Sequence, residues 1–288
     1  MGVAFDRLAI DDPIALDLLT LVAWCGSEPV PLTLLTEHRD ALPETLRPIA
    51  ADPLVLARCT AILRRRGMAT VSPQGIQLHR IPAALLRTRN HGSDVTGTAG
   101  WAAAVVGLLI ETAPGKVRND AGGWPLWRRL LSHVLAAAGH DAALEAVPAE
   151  ATRLLDRAAT YLQIRGEPQA ALAPYERAYD VRREKFGDDH PDTLAAASNL
   201  ALNLWYLGEF QRARTLDDET LARRRRVLGE DAPDTLTSAI QLANDLFGLG
   251  NYPQARELQE EMLSRRRRIL GDDHPDTLTS ASLLGGVL

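Results

Sequence analysis

The octapeptide GDDHPDTL at Gly187–Leu194 returns as GEDAPDTL at Gly229–Leu236 and again as GDDHPDTL at Gly271–Leu278, each copy 42 residues after the previous one. A second set of glycines keeps the same spacing, at Gly166, Gly208 and Gly250. A fixed period of this length predicts stacked structural units that bury their apolar faces against one another. Because such a stack leaves a long surface exposed, the period favours a binding function over catalysis.

Each period reads as two helices joined by a glycine turn. Leucine and alanine recur at spacings of three and four residues on the first helix, which is the period of one helix face. In the first full unit these residues are Leu194, Ala197, Leu200, Ala201 and Leu204. Pro191, Pro233 and Pro275 each stand in the first turn of a predicted helix, where a missing N–H costs nothing.

The residues around the glycine turn resemble the tetratricopeptide repeat. They are Leu200-Ala201, Gly208-Glu209-Phe210 and Ala213, then Leu242-Ala243, Gly250-Asn251-Tyr252 and Ala255. The 42-residue period resembles the kinesin light chain form of this repeat. The resemblance implies a mainly α fold with an α-solenoid over residues 150–288. Its expected parts are a degenerate repeat at 150–186, full repeats at 187–228 and 229–270, and a partial repeat at 271–288. Since the sequence stops at Leu288 inside a predicted first helix, we expect a fragment of a larger protein or a naturally truncated relative.

The first 92 residues predict a different fold. Helical periodicity near Ile14 and after Pro31 precedes a longer helix that starts with an acidic cap at Asp52 and ends at Gly67. Two short alternating strands follow, at 68–71 and 76–79, around a proline–glycine turn. Three helices and a small β-hairpin predict a winged-helix domain over residues 1–92. A polar break at Asn90–Asp94 then leads into a helical linker or capping region over residues 93–149.

The segment after the hairpin resembles the His-containing winged-helix motif of bacterial NB-ARC (STAND) signalling proteins. In that family an ATPase module precedes a winged helix and tetratricopeptide repeats. Ile76–Arg80 and Pro82–Arg87 carry the resemblance to this motif, and Trp124–Trp127 and Leu130–His133 resemble the family's linker into the repeats. The resemblance implies that His79 faces the phosphates of ADP when an ATPase module is present.

Catalysis by this chain alone is not expected. It lacks the G-x-x-x-x-G-K-[ST] loop that cradles nucleotide phosphates, so we predict no catalytic residue and no cofactor. A subsidiary hypothesis is that the chain completes an enzyme in trans, with ADP at His79. Cys25 and Cys59 lack metal-ligand spacing, and Ala232 replaces the histidine of His190 and His274 in the middle copy, so we predict no metal ion. With neither a signal peptide nor a membrane-spanning stretch in the sequence, we expect a cytoplasmic protein that does not contact membranes.

A basic stretch lies in the predicted winged helix, although the net charge of the chain is −5. Residues 53–91 contain no Asp or Glu and seven arginines, Arg58, Arg64, Arg65, Arg66, Arg80, Arg87 and Arg89. Such a face suits DNA phosphates, and it equally suits docking on an ATPase module and its nucleotide. The third helix has few side chains that could recognise DNA bases, which favours docking on an ATPase module. The alternative function is a winged-helix, DNA-binding transcriptional regulator in which the repeats act as a sensor domain.

Two arginine runs in the repeats, Arg223–Arg226 and Arg265–Arg268, also resemble nucleic-acid patches. Acidic residues surround them, and each run contains an arginine four residues after a glutamate, in the favourable order for a helical ion pair. We therefore predict that the runs are solvated or paired within the chain. Arg224 and Arg266 fall on the apolar stripe, where we expect packed stems and heads that reach solvent.

The first helices of the repeats carry the candidate binding site. By the resemblance they line the concave side of the stack, at Ser198, Asn199, Leu202, Trp205, Tyr206, Ile240, Gln241, Asn244 and Phe247. The asparagines suit an extended peptide backbone and the aromatic rings offer rigid contact area; some rings instead suit sealing the contact between repeats. We predict a non-catalytic scaffold for a protein or peptide, the regulatory and partner-sensing half of an NB-ARC-like signalling protein.

Overall fold

The computed structural model describes residues 2–88 and 97–285, most of which lie in helices. The chain divides into two compact units, residues 1–161 and 162–288. The polar break predicted at Asn90–Asp94 and the arginine Arg89 lie outside the described ranges. The domain boundary at residue 92 therefore stays a prediction.

The first unit contains nine helices and one hairpin among its described residues, and a tenth helix crosses its end. The helices are α1 (Gly2–Asp11), α2 (Pro13–Ala23), α3 (Leu32–Thr36), α4 (Arg47–Ala51), α5 (Pro53–Arg65), α6 (Arg80–Thr88), α7 (Thr98–Thr112), α8 (Trp124–Ala138), α9 (Asp141–Ala146) and α10 (Pro148–Ile164); the strands are β1 (Thr70–Ser72) and β2 (Gly75–Gln77). Four of these helices, α1, α4, α6 and α9, were not expected from the sequence.

The predicted third helix is present as α5. Asp52 caps it, because its carboxylate accepts a hydrogen bond of 2.8 Å from the backbone N–H of Leu54. Gly67 follows the helix with φ of 64°, a left-handed conformation that glycine adopts at little cost. The acidic cap, the proline and the glycine read from the sequence therefore set both ends of this helix.

The hairpin is shorter than predicted and gains a third segment. Val71 pairs with Ile76, and Ser72 pairs with Gly75 across the turn. The backbone of Val30 bridges to Ile76 on the other side of β2, with N–O distances of 2.7 and 3.0 Å. Gly75 permits this approach, since a Cβ atom there would lie 2.0 Å from the carbonyl oxygen of Val30. The order of helices and hairpin agrees with a winged helix, which remains a proposal for this region.

A buried histidine links α8 to the loop after α2 within the first unit. The backbone N–H of Gly26 donates to Nδ1 of His133 at 3.2 Å, and a side chain at Gly26 would collide with the backbone of Ser132. Burial lowers the pKa of His133 to about 4, although the backbone of Pro29 acts in the opposite direction. His133 is thus a neutral core residue. Cys25 and Cys59 are also buried thiols, and burial raises the pKa of Cys25 to about 12.

The second unit alternates the first and second helices of the repeats. They are α11 (Pro168–Phe186), α12 (Pro191–Tyr206), α13 (Phe210–Leu228), α14 (Pro233–Gly248), α15 (Tyr252–Leu270) and α16 (Pro275–Gly285), and consecutive helices pack against each other. The two repeat histidines each cap the start of a first helix. Nδ1 of His190 accepts from the N–H of Asp192 at 3.2 Å, and His274 makes the same bond with Asp276. Ala232 leaves the start of α14 without a side-chain cap.

The expectation that Arg224 and Arg266 reach solvent is wrong. Arg224 is only 5% exposed, and its guanidinium donates to the carbonyl of Asp234 at 3.1 Å. Arg266 is buried in the same way and donates to the carbonyl of Asp276 at 3.0 Å. The reason is that the next repeat covers this position and offers carbonyl oxygens at the start of its first helix. One period earlier, Arg182 donates to the carbonyl of Asp192, so the contact follows the repeat.

Candidate partner-binding surface on the first helices of the repeats

All nine residues predicted for the groove lie on α12 and α14, the first helices of two successive repeats. We call them the first-helix surface. Tyr206 and Phe247 are its exposed members, with 54% and 42% of their surface accessible. Ser198 is buried, and the half-buried members are Asn199, Leu202, Trp205, Ile240, Gln241 and Asn244. The surface thus offers two aromatic rings and two partly accessible asparagines to a ligand.

Two members of the first-helix surface join α12 to α14. Nε1 of Trp205 donates to the carbonyl oxygen of Asn244 at 3.4 Å, and Nε2 of Gln241 donates to the carbonyl oxygen of Ser198 at the same distance. Both bonds are long, so each contributes less than a bond of ordinary length. Trp205 therefore takes part in the contact between repeats, the role that the sequence had left open for some of the aromatic residues.

Aromatic residues after the glycine turns extend the exposed aromatic area. The ring of Tyr252 lies 5.1 Å from that of Phe247 and is itself exposed, and the ring of Phe210 lies 6.1 Å from that of Trp205. Gly248 leaves room for Phe210, because a Cβ atom there would lie 2.6 Å from the phenyl ring. Tyr252 was not among the residues predicted for the site. Its position directly after the Gly250-Asn251 turn, matching Phe210, was the signal available.

The arginine runs are paired within the chain, as predicted. The predicted i, i+4 pairs form, with Arg223 at 3.2 Å from Glu219 and Arg265 at 2.9 Å from Glu261. Ion pairs also connect the start of a repeat to the end of its second helix, since Arg268 lies 2.9 Å from Asp231. Arg226 contacts Asp189 one period earlier in the same way. The arginines that could bind the phosphates of a nucleic acid are thus already in ion pairs with carboxylates of the chain.

The basic face of the predicted winged helix is partly neutralised by acids that precede it in the chain. Arg58 lies 3.2 Å from Asp12 and Arg66 lies 2.6 Å from Asp11. Arg87 donates a hydrogen bond of 2.8 Å to the carbonyl of Ala23, so its role is structural. The exposed remainder of the face consists of Arg64, Arg65 and Arg80, with His79 exposed beside Arg80.

No group of three or more His, Cys, Asp or Glu side chains is placed to hold a metal ion in residues 2–88 and 97–285. Over those residues, no helix combines the length and apolar character needed to cross a membrane.

Comparison with known proteins identifies the repeats. One tetratricopeptide repeat family model matches residues 150–226 and another matches residues 235–276. These two segments are tetratricopeptide repeats. Such repeats form protein-interaction scaffolds and are typically non-catalytic. The winged helix and the NB-ARC resemblance concern residues outside both matches and remain predictions.

Solved structures with related repeats are similar to this chain at low identity. Two crystal structures of a Podosopora anserina kinesin light chain protein with nearly identical TPR-like repeats, one of them a variant, are each 22% identical and cover 60% of this chain. The matches span 85% and 86% of the length of these two solved chains, with TM-scores of 0.46 and 0.45. BtubC (BKLC) from P. vanneervenii is 19% identical with a TM-score of 0.47, over 66% of this chain and 71% of its own. No curated protein sequence matches the chain.

Proposed function

We propose that the chain is a non-catalytic scaffold that binds a protein or peptide on its first-helix surface. The exposed rings of Tyr206 and Phe247 carry this proposal. Large apolar rings exposed on a helical surface are costly to leave in water and are the side chains that most often anchor a partner. Both lie at the C-terminal ends of first helices in tetratricopeptide repeats. Their separation in the sequence is one residue shorter than the repeat period.

The chemistry of the first-helix surface suits an extended, uncharged segment. Asn199 and Asn244 each provide an amide that donates and accepts hydrogen bonds, as a peptide backbone requires. The surface contains no charged side chain among its nine members. The rings of Tyr206 and Phe247 then supply contact area for apolar or proline side chains of the ligand.

The exposed part of the basic face supports docking more than DNA binding. Arg64, Arg65 and Arg80 are the arginines of this face left exposed among the described residues, whereas Arg58 and Arg66 are held by acids. A DNA reader needs many phosphate contacts for useful affinity. We therefore infer that this face docks on an NB-ARC-like ATPase module, and that the chain is the regulatory and partner-sensing half of such a protein.

Partner binding is tested by capture followed by calorimetry. The purified chain is used to isolate ligands from the lysate of its host, and the recovered protein is titrated into wild type and variants. We expect the double variant Tyr206→Ala with Phe247→Ala to lose about tenfold or more in affinity, as loss of aromatic anchors does at other interfaces. The matched control is Tyr179→Ala, which removes an aromatic ring from the second helix α11. Unchanged affinity in the double variant, or a loss confined to the control, contradicts the proposed surface.

A further inference from the structure

Two buried carboxyl groups meet where α13 packs against α14. Asp217 on α13 and Asp245 on α14 are each only 1% exposed on two helices that pack against each other, and each carboxyl acts on the pKa of the other. We call these residues the acid pair. A hydrogen bond between two carboxyl groups requires a proton on one of them, because ionised carboxylates only accept. Two buried carboxyls placed this way are therefore able to share one proton between two helices.

The surroundings of the acid pair do not neutralise it. Arg224 is the cation that acts on Asp217, but its donors are directed elsewhere. They bond to the hydroxyl of Ser238 at 2.6 Å and to the carbonyls of Asp234 and Leu194 at 3.1 and 3.3 Å. Among the described residues of α12 and α15, no further titratable group acts on either carboxyl. One oxygen of each carboxyl accepts no hydrogen bond from the described part of the chain.

The acid pair is specific to one junction of the repeats. One period away, the residues that match Asp217 are Tyr175 and Gln259, and the residue that matches Asp245 is Asn203. The amide of Asn203 donates to the carbonyl of Pro168 at 2.9 Å and accepts from Gln163 at 3.2 Å. Neutral side chains therefore serve at equivalent positions, and the fold of the repeat does not demand an acid here.

The electrostatics agree with a retained proton at neutral pH. Burial, followed by the charge of Asp245, raises the pKa of Asp217 to about 9, and burial raises the pKa of Asp245 to about 7. Two carboxylates in contact without solvent cannot both be ionised cheaply. These values describe the pair as a unit, which binds its protons at a pH well above the ordinary range of an aspartate.

We propose that the contact between α13 and α14 is a pH-responsive joint, closed while the acid pair holds a shared proton and loosened when that proton leaves. Repulsion between two desolvated carboxylates then acts across the packed helices. Asn244 and Phe247 lie beside Asp245 on α14, so opening the joint also displaces part of the first-helix surface. The joint does not depend on partner binding, and its test needs no partner.

The test is amide hydrogen exchange of the full chain at about pH 6 and about pH 10, corrected for the intrinsic effect of pH on exchange. In wild type we expect protection of α13 and α14 to fall by about tenfold or more relative to α11, since each pH unit above a raised pKa changes the equilibrium tenfold. Asp245→Asn, which copies Asn203, removes this fall. Asp217→Gln, which copies Gln259, gives the same result by a second route. Asp218→Asn changes an exposed neighbour on α13 and keeps the wild-type response.

Three outcomes overturn the joint. The first is an equal pH response in wild type and Asp245→Asn. The second is a loss of protection spread evenly from α11 to α16. The third is that both neutral variants are unfolded at neutral pH, because the acids are then required for folding and cannot release the contact.

Discussion

The guanidinium of Arg224 on α13 donates a 2.6 Å hydrogen bond to the hydroxyl of Ser238 on α14. The same bond recurs one period later at 2.7 Å, between Arg266 and Ser280. Each buried arginine also bonds to a backbone carbonyl at the start of the next first helix. The cation is thus a structural part of the junction between repeats, where it satisfies oxygens that would otherwise be buried without a donor.

Arg224→Ala is expected to reduce the free energy of unfolding by about 2–4 kcal/mol, because it leaves buried acceptors unpaired and removes packing. Urea denaturation followed by circular dichroism measures the loss. The control is Arg226→Ala, which removes an exposed ion pair with Asp189 and should cost about 1 kcal/mol or less. Equal losses for the two variants are incompatible with a structural role for the buried head.

Ala232→His should stabilise the repeats by about 0.5–1 kcal/mol, because it restores the ring nitrogen that caps α12 and α16. The reverse change, His190→Ala, should cost a similar amount. Thermal unfolding of both variants gives the comparison. A destabilised Ala232→His variant, or a neutral His190→Ala variant, would show that these histidines do not act as caps.

Gly75→Ala should destabilise the first unit by about 2 kcal/mol or more, because a Cβ atom would lie 2.0 Å from the Val30 carbonyl and the φ of 145° is disfavoured for alanine. Gly67→Ala is the matched control. Its φ is also positive, at 64°, but no atom lies within 4 Å of the added carbon. We therefore expect this variant to lose about 1 kcal/mol of stability. The free energies of unfolding of the two variants are compared. The comparison tests whether the close approach of Val30 adds to the cost of the positive φ angle. Similar losses would exclude that contribution.

His133 should make the first unit sensitive to acid. Burial lowers its folded pKa to about 4, below the ordinary value, so the unfolded chain binds the proton first. The stability that depends on the neutral ring is complete above about pH 6.5 and is lost as the pH falls towards 4, by about 3 kcal/mol in all. Chemical denaturation across this range should show the decline in wild type. His133→Gln keeps an acceptor for Gly26 without a titrating ring and should show a weaker decline; an unchanged decline would remove His133 as its source.

The 42-residue period predicted most of the second unit because its signals are local. The prolines, the glycine turns and the apolar spacing of α12 and α14 each depend on residues within one helix. The buried heads of Arg224 and Arg266 were mispredicted because their acceptors belong to the next repeat. The acid pair was missed for the same reason, since Asp217 stands beside the exposed Asp218 and nothing local separates the two.

In the first unit, α5 and the hairpin followed from caps and turn residues, whereas α1, α4, α6 and α9 did not. These four helices have ten residues or fewer, so a periodic pattern has little length in which to appear. For the candidate site, the sequence placed the nine residues on the correct helices. It could not decide which rings face solvent, because the hydrogen bond from Trp205 to Asn244 crosses between repeats.

Site-specific photo-crosslinking tests the central claim most directly. A photoreactive phenylalanine analogue is placed at Phe247 on the first-helix surface and, in a separate variant, at Tyr179 on the second helix α11. After irradiation with a bound partner, we predict crosslinked product from position 247 and little from position 179. Crosslinks from position 179 alone, with none from position 247 under the same conditions, would contradict binding on the first helices of the repeats.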